Sequence, residues 1–127
     1  MGKYTVEAVA DKMVTLKVAD KNYRNSFVMK GDTANLVQGS KVAGTIHAPA
    51  WKVDRVALGG NYVEPLYGRP RRMQGTILAV KAGVNELVVQ VGYEVTVKLP
   101  EKYKASEYQV GERIGWDNIE VPTLELV

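Results

Sequence analysis

The chain has 127 residues, a formal net charge of +3 and no cysteine. Its 46% hydrophobic and 24% charged residues match an ordinary globular protein rather than a disordered one, and the length suits one compact domain or two very small ones. The missing thiol excludes a disulfide framework, a cysteine-ligated zinc and a thiol nucleophile, and no apolar run approaches the ~18–20 residues that span a bilayer.

The opening residues Met1-Gly2-Lys3-Tyr4-Thr5 lack the composition of a secretory signal, so a cytoplasmic location without membrane association is expected. Alternation of apolar and polar residues then predicts strands rather than helices. Val14, Leu16 and Val18 alternate with Thr15 and Lys17, Asp20-Lys21-Asn22 reads as a turn, and Phe27 and Met29 alternate with Val28. Residues 31–36 form an irregular crossing segment with room for one helical turn, and Gly39 introduces a further pair of strands. The stretch from His47 to Arg55 reads as the last loop of this half.

Residues 59–72 are punctuated by glycine and proline and read as a linker. Tyr62, Val63, Leu66 and Tyr67 are too apolar for a solvated tether, so part of it is expected to lie against the folded body. Beyond it, the run from Val89 to Leu99 places apolar residues or Tyr93 at every odd position, and Gln90, Glu94, Thr96 and Lys98 face outward. Eleven residues exceed a typical strand, so Gly92 is expected to divide the run. Pro100 ends it for want of an amide, and residues 101–106 form a second crossing segment.

The halves repeat one another. Val6-Glu7-Ala8-Val9 aligns with Ile77-Leu78-Ala79-Val80, Leu16-Lys17-Val18 with Val89-Gln90-Val91, and Gly39-Ser40-Lys41-Val42 with Gly111-Glu112-Arg113-Ile114, at offsets of 71, 73 and 72 residues. The expected architecture is all-β: two tandem five-stranded OB/SH3-like small barrels, over residues 1–58 and 73–127, joined by the linker 59–72. The same alternation also allows one larger barrel or sandwich of about ten strands.

Catalytic constellations are scarce. His47 is the only histidine, none of Ser26, Ser40 and Ser106 stands in a nucleophile-elbow context, and no phosphate-binding glycine motif occurs. A non-catalytic module without a cofactor is expected. Charge is uneven: nine Lys/Arg against five Asp/Glu through Leu58, three Arg against Glu64 in residues 59–72, and five against eight beyond. Basic and aromatic residues interleave in the more positive part, and single-strand binders combine a positive groove with aromatic platforms. The candidate contacts are Tyr23, Arg24, Trp51, Lys52, Arg55, Arg69, Arg71 and Arg72, with single-stranded RNA or DNA, or another polyanion, as ligand. A competing assignment puts Phe27 and Trp51 in the core and leaves Tyr23 and Lys52 as ordinary surface. A protein partner or self-association is the structural alternative.

Arg72-Met73-Gln74-Gly75-Thr76-Ile77, Val80-Lys81-Ala82-Gly83-Val84-Asn85-Glu86 and Val110-Gly111-Glu112-Arg113-Ile114 resemble the molybdate-binding small-barrel domains, molbindin-like and transporter-associated OB modules. The resemblance implies small-barrel folding and, as a second functional possibility, oxoanion capture between barrels by backbone amides and Ser, Arg or Lys side chains. The first half departs from the pattern, with no glycine in Thr5-Val6-Glu7-Ala8-Val9, and Arg69-Pro70-Arg71-Arg72 replaces the family's Ser-Ala-Arg-Asn type of opening.

Overall fold

A computed structural model describes residues 2–18, 22–31 and 36–127. The turn expected at Asp20 and Lys21, and most of the crossing segment (32–35), lie outside the described residues. The described chain is all-β, without α-helix, and its strands form one mixed sheet. Among the described residues no helix is long and apolar enough to cross a membrane. The strands are β1 (Gly2–Ala10), β2 (Met13–Lys17), β3 (Arg24–Lys30), β4 (Lys41–Arg55), β5 (Tyr62–Glu64), β6 (Tyr67–Gly68), β7 (Arg72–Lys81), β8 (Glu86–Gln90), β9 (Glu94–Lys98), β10 (Arg113–Asn118) and β11 (Thr123–Leu126). Single 3-10 turns cover Ala82–Val84 and Ala105–Glu107.

The ladders run in two circuits that share β4. One passes from β1 through β2, β3, β11 and β4 back to β1. The other passes from β4 through β10, β7, β8 and β9 back to β4. Each contains one parallel pair, β3 with β11 and β4 with β9. Closing a ladder in this way removes the unpaired edges that would template association.

Fifteen residues make β4 a single long strand, although 47–55 reads as a loop in the sequence. Pro49 does not interrupt it because it sits between two ladders on one side: β11 pairs up to His47 and β10 begins at Ala50. The Pro49 carbonyl still accepts a bond from the Ile119 amide at 2.9 Å. β11 follows β10 directly, so the last strand of the chain closes the circuit that the first strand opens.

Matching registers recur in the two circuits. Val6 faces Leu16 and Ile77 faces Val89; after a bulge in each, Ala8 faces Thr15 and Ala79 faces Val88. The Gly39 amide donates to the Val6 carbonyl at 2.8 Å, and the Gly111 amide to that of Ile77 at 2.9 Å. Thr5 faces Lys41, and Thr76 faces Arg113.

The core is continuous through both circuits, with Val6, Leu16, Phe27 and Leu124 at one end and Met73, Ile77, Val95 and Trp116 at the other. Gly92 does divide the 89–99 run, as the tight turn between β8 and β9. That turn carries Tyr93 into the other circuit, edge-on to Tyr4, Tyr23 and Phe27 at centroid distances of 6.4, 5.9 and 6.0 Å. Each such contact adds about 0.5–1.5 kcal/mol to the burial itself. Thr96, outward by alternation, is buried with Val88 and His47 as its neighbours on either side.

Candidate functional site

Trp51 is the extra residue of a β-bulge. Lys52 faces Asp117 and Ala50 faces Asn118, so Trp51 has no partner of its own on β10. A bulge re-aims a side chain, and here it turns a tryptophan outward on a central strand, 60% exposed. The competing assignment of Trp51 to the core therefore does not hold, while that of Phe27 does. Lys52, Asp117 and Arg72 are cross-strand neighbours on β4, β10 and β7 and share one face. Strands are spaced ~4.8 Å apart, so this face sets Arg72 about 10 Å from the strand that carries Trp51.

Arg72 lies across Gly115, where a Cβ would come within 2.6 Å of its Nη2. It contacts Asp117 at 3.2 Å and Asp54 at 3.7 Å. Burial opposes its charge, but hydrogen bonds to Tyr62 and Asp117 outweigh this and leave its pKa above the ordinary value. Arg55 is similarly engaged. Its Nε meets Glu112 at 3.1 Å, an Nη donates to the Glu107 carbonyl at 2.6 Å, and the guanidinium covers the Tyr108 ring at 4.3 Å. Both arginines are thus occupied by partners within the chain, Arg72 the less exposed of the two, and are less available to a ligand.

Tyr23 is only 6% exposed and packs against Tyr93, so no face of its ring reaches solvent. Arg24 pairs loosely with Glu7 at 3.6 Å. A partly exposed pair of this kind is worth at most about 1 kcal/mol, and Arg24 is released from it at small cost. Lys52, Arg69 and Arg71 are exposed and make no ion pair among the described residues.

Arg71 is held beside the bulge by its backbone. Its amide donates to the Glu64 carbonyl and its carbonyl accepts from the Asn118 amide, both at 2.8 Å. The Asn118 side chain donates to the Pro70 carbonyl at 3.1 Å and accepts from the Trp116 indole at 2.8 Å. The structure therefore brings Trp51, Lys52 and Arg71 to one region, with Ile119 exposed beside them. Glu64, Pro65, Arg71 and Arg72 line a groove of about 460 Å³ there.

Asn118 and the exposed Tyr67 are contributors that the sequence reading did not single out. The basic-aromatic run of the linker contains Tyr67, but nothing local distinguishes it from the half-buried Tyr62. His47 meets Glu125 at 3.0 Å, with Lys30 on the other carboxylate oxygen at 3.8 Å. Among the described residues no group of three or more His, Asp and Glu side chains is placed to hold a metal. No protein family, curated protein or solved structure matches the chain.

Proposed function

We propose that the protein is a non-catalytic module that binds single-stranded nucleic acid in the region around Trp51 and Lys52, with Arg69 and Arg71 of the neighbouring segment as further phosphate contacts. The observation that carries this reading is Trp51 itself: a tryptophan 60% exposed at a bulge of a central strand, next to Lys52, which makes no ion pair among the described residues. Burying such a ring is favourable, and stacking on a base is worth about 1–3 kcal/mol. Unpaired Lys and Arg supply the phosphate contacts that a stacked strand needs.

The scaffold we infer is two OB-type small barrels related by an internal repeat. Its support is the pair of closed five-strand circuits, the parallel pair in each, and the matching registers around Val6 and Ile77. In this reading the barrels exchange their final strands. β11 completes the circuit of β1, and the second half of β4 completes that of β7.

Fluorescence anisotropy of labelled single-stranded RNA and DNA at two salt concentrations tests the function. Wild type should bind and weaken in salt, and Arg69→Ala/Arg71→Ala should lower the salt slope by about 1.4, two contacts at ~0.7 each. Arg72 is left intact because Asp117 and Asp54 hold it. Absence of binding at low salt overturns the reading.

A further inference from the structure

We infer that Tyr67 is a second stacking platform for the same strand, and that the bound tract is short, running from Tyr67 past Arg69 and Arg71 to Trp51; this rests on the reading just proposed. Tyr67 is 64% exposed. It faces Arg24 in a parallel pair, while the next residues of β3 on the other face, Asn25 and Phe27, are buried, so the tyrosine points outward.

An exposed tyrosine on a loose loop would have to be ordered before it could bind, and that ordering weakens affinity. Here the segment is already fixed. The Arg24 amide donates to the Leu66 carbonyl at 2.8 Å. Asn25 is fully buried, and its amide nitrogen reaches the carbonyls of Pro65, Leu66 and Gly68 at 3.1, 3.4 and 3.2 Å. Its Oδ1 accepts from the Tyr93 hydroxyl at 2.9 Å, so the amide is engaged through both its nitrogen and its oxygen. Downstream, Asn118 fixes Pro70 and Arg71. Between these two anchors stand Tyr67, Arg69 and Arg71.

The track has a bounded length. Four residues separate Tyr67 from Arg71, at most about 14 Å of chain, and two strand spacings of ~4.8 Å separate Arg71 from β4. The backbones that carry the two aromatic platforms are thus at most about 24 Å apart, which fits the short end of single-strand sites, about four nucleotides. The cations between them make no ion pair among the described residues, although Glu64 shares the groove with Arg71, and their charge is left for a phosphate backbone. Stacking reads the π-face that every base has, so little sequence preference is expected.

Anisotropy competition with oligo(U) and oligo(dT) of 2, 4, 8 and 16 nucleotides tests this, using wild type, Trp51→Ala, Tyr67→Ala and Tyr67→Phe, with thermal melting to confirm folding. Tyr67→Ala should weaken binding by about 5- to 150-fold, the equivalent of one stacked base. Tyr67→Phe should restore it, and affinity should level off near four nucleotides. If Trp51→Ala weakens binding and Tyr67→Ala does not, the second platform is wrong and the proposed function stands. Equal losses in Tyr67→Ala and Tyr67→Phe would assign the effect to the hydroxyl and overturn stacking, and affinity still climbing between 8 and 16 nucleotides would overturn the short track. Failure of wild type to bind any oligomer overturns both readings in favour of a protein partner for this aromatic and arginine surface.

Discussion

Tyr93 and Asn25 meet between the two circuits. The tyrosine hydroxyl donates to the asparagine while three aromatic rings close around its own. Burial, reinforced by neighbouring Tyr4 and Tyr23, pushes the Tyr93 phenol well above its ordinary pKa of 10.0. Burial and then the Glu94 carboxylate raise that of Tyr4 to about 12. Both raised values mean that the folded chain keeps protons the unfolded chain releases. Stability should therefore be intact below pH 10 and fall as the pH rises toward 12 and beyond. Melting temperatures across that window check this, and Tyr4→Phe should flatten the decline; an alkaline melting temperature equal to the neutral one would contradict it. Of the two aromatics expected to stack at the surface, Trp51 is exposed and Tyr23 is buried. Tyr23 sits in a polar neighbourhood that looks like surface, but its ring edge fills the space above Gly92, where a Cβ would lie 2.4 Å away. That contact spans most of the chain and leaves no local trace. Trp51 was legible as a candidate because it stands among basic residues, whereas its exposure depends on a bulge that breaks the alternation after Ala50.

Strand pairing explains which glycines matter. Gly75 faces Ile114 on β10 and crowds β8, where an added Cβ would stand 2.1 Å from the Gln90 carbonyl oxygen. Gly75→Ala must push a backbone aside and should cost about 1–3 kcal/mol in urea unfolding. Gly83→Ala, with nothing near its would-be Cβ, should leave the midpoint close to that of wild type; equal midpoints for both variants would contradict this packing. Most strands were legible as elements from their period of two. The offsets of 71 and 73 residues correspond to the observed pairings of Val6 with Leu16 and Ile77 with Val89. The continuity of β4 was not legible, since Pro49 normally argues against a central strand and only the gap between β10 and β11 accommodates it.

Across the whole molecule, the shared strand makes the halves interdependent. Residues 1–58 lack β11, and residues 73–127 lack the β4 segment that pairs with β9 and β10. Each piece alone would expose unpaired strand edges and half a core. Neither should give a cooperative melt by itself, and the intact chain should unfold in one transition; two independent transitions, or a folded isolated half, would contradict the exchange. No local pattern encodes this, because alternation states which face of a strand is buried and not which strand lies beside it.

The proposed binding face is tested most directly by its own fluorophore. Trp116 is buried and Trp51 exposed, so a change in tryptophan emission on binding reports a base stacked on Trp51. Titration with a single-stranded oligomer should quench tryptophan emission saturably, recover on adding salt, and leave Trp51→Phe unchanged. Emission that stays constant up to high oligomer concentration, from a Trp51 that acrylamide still quenches, would contradict the account.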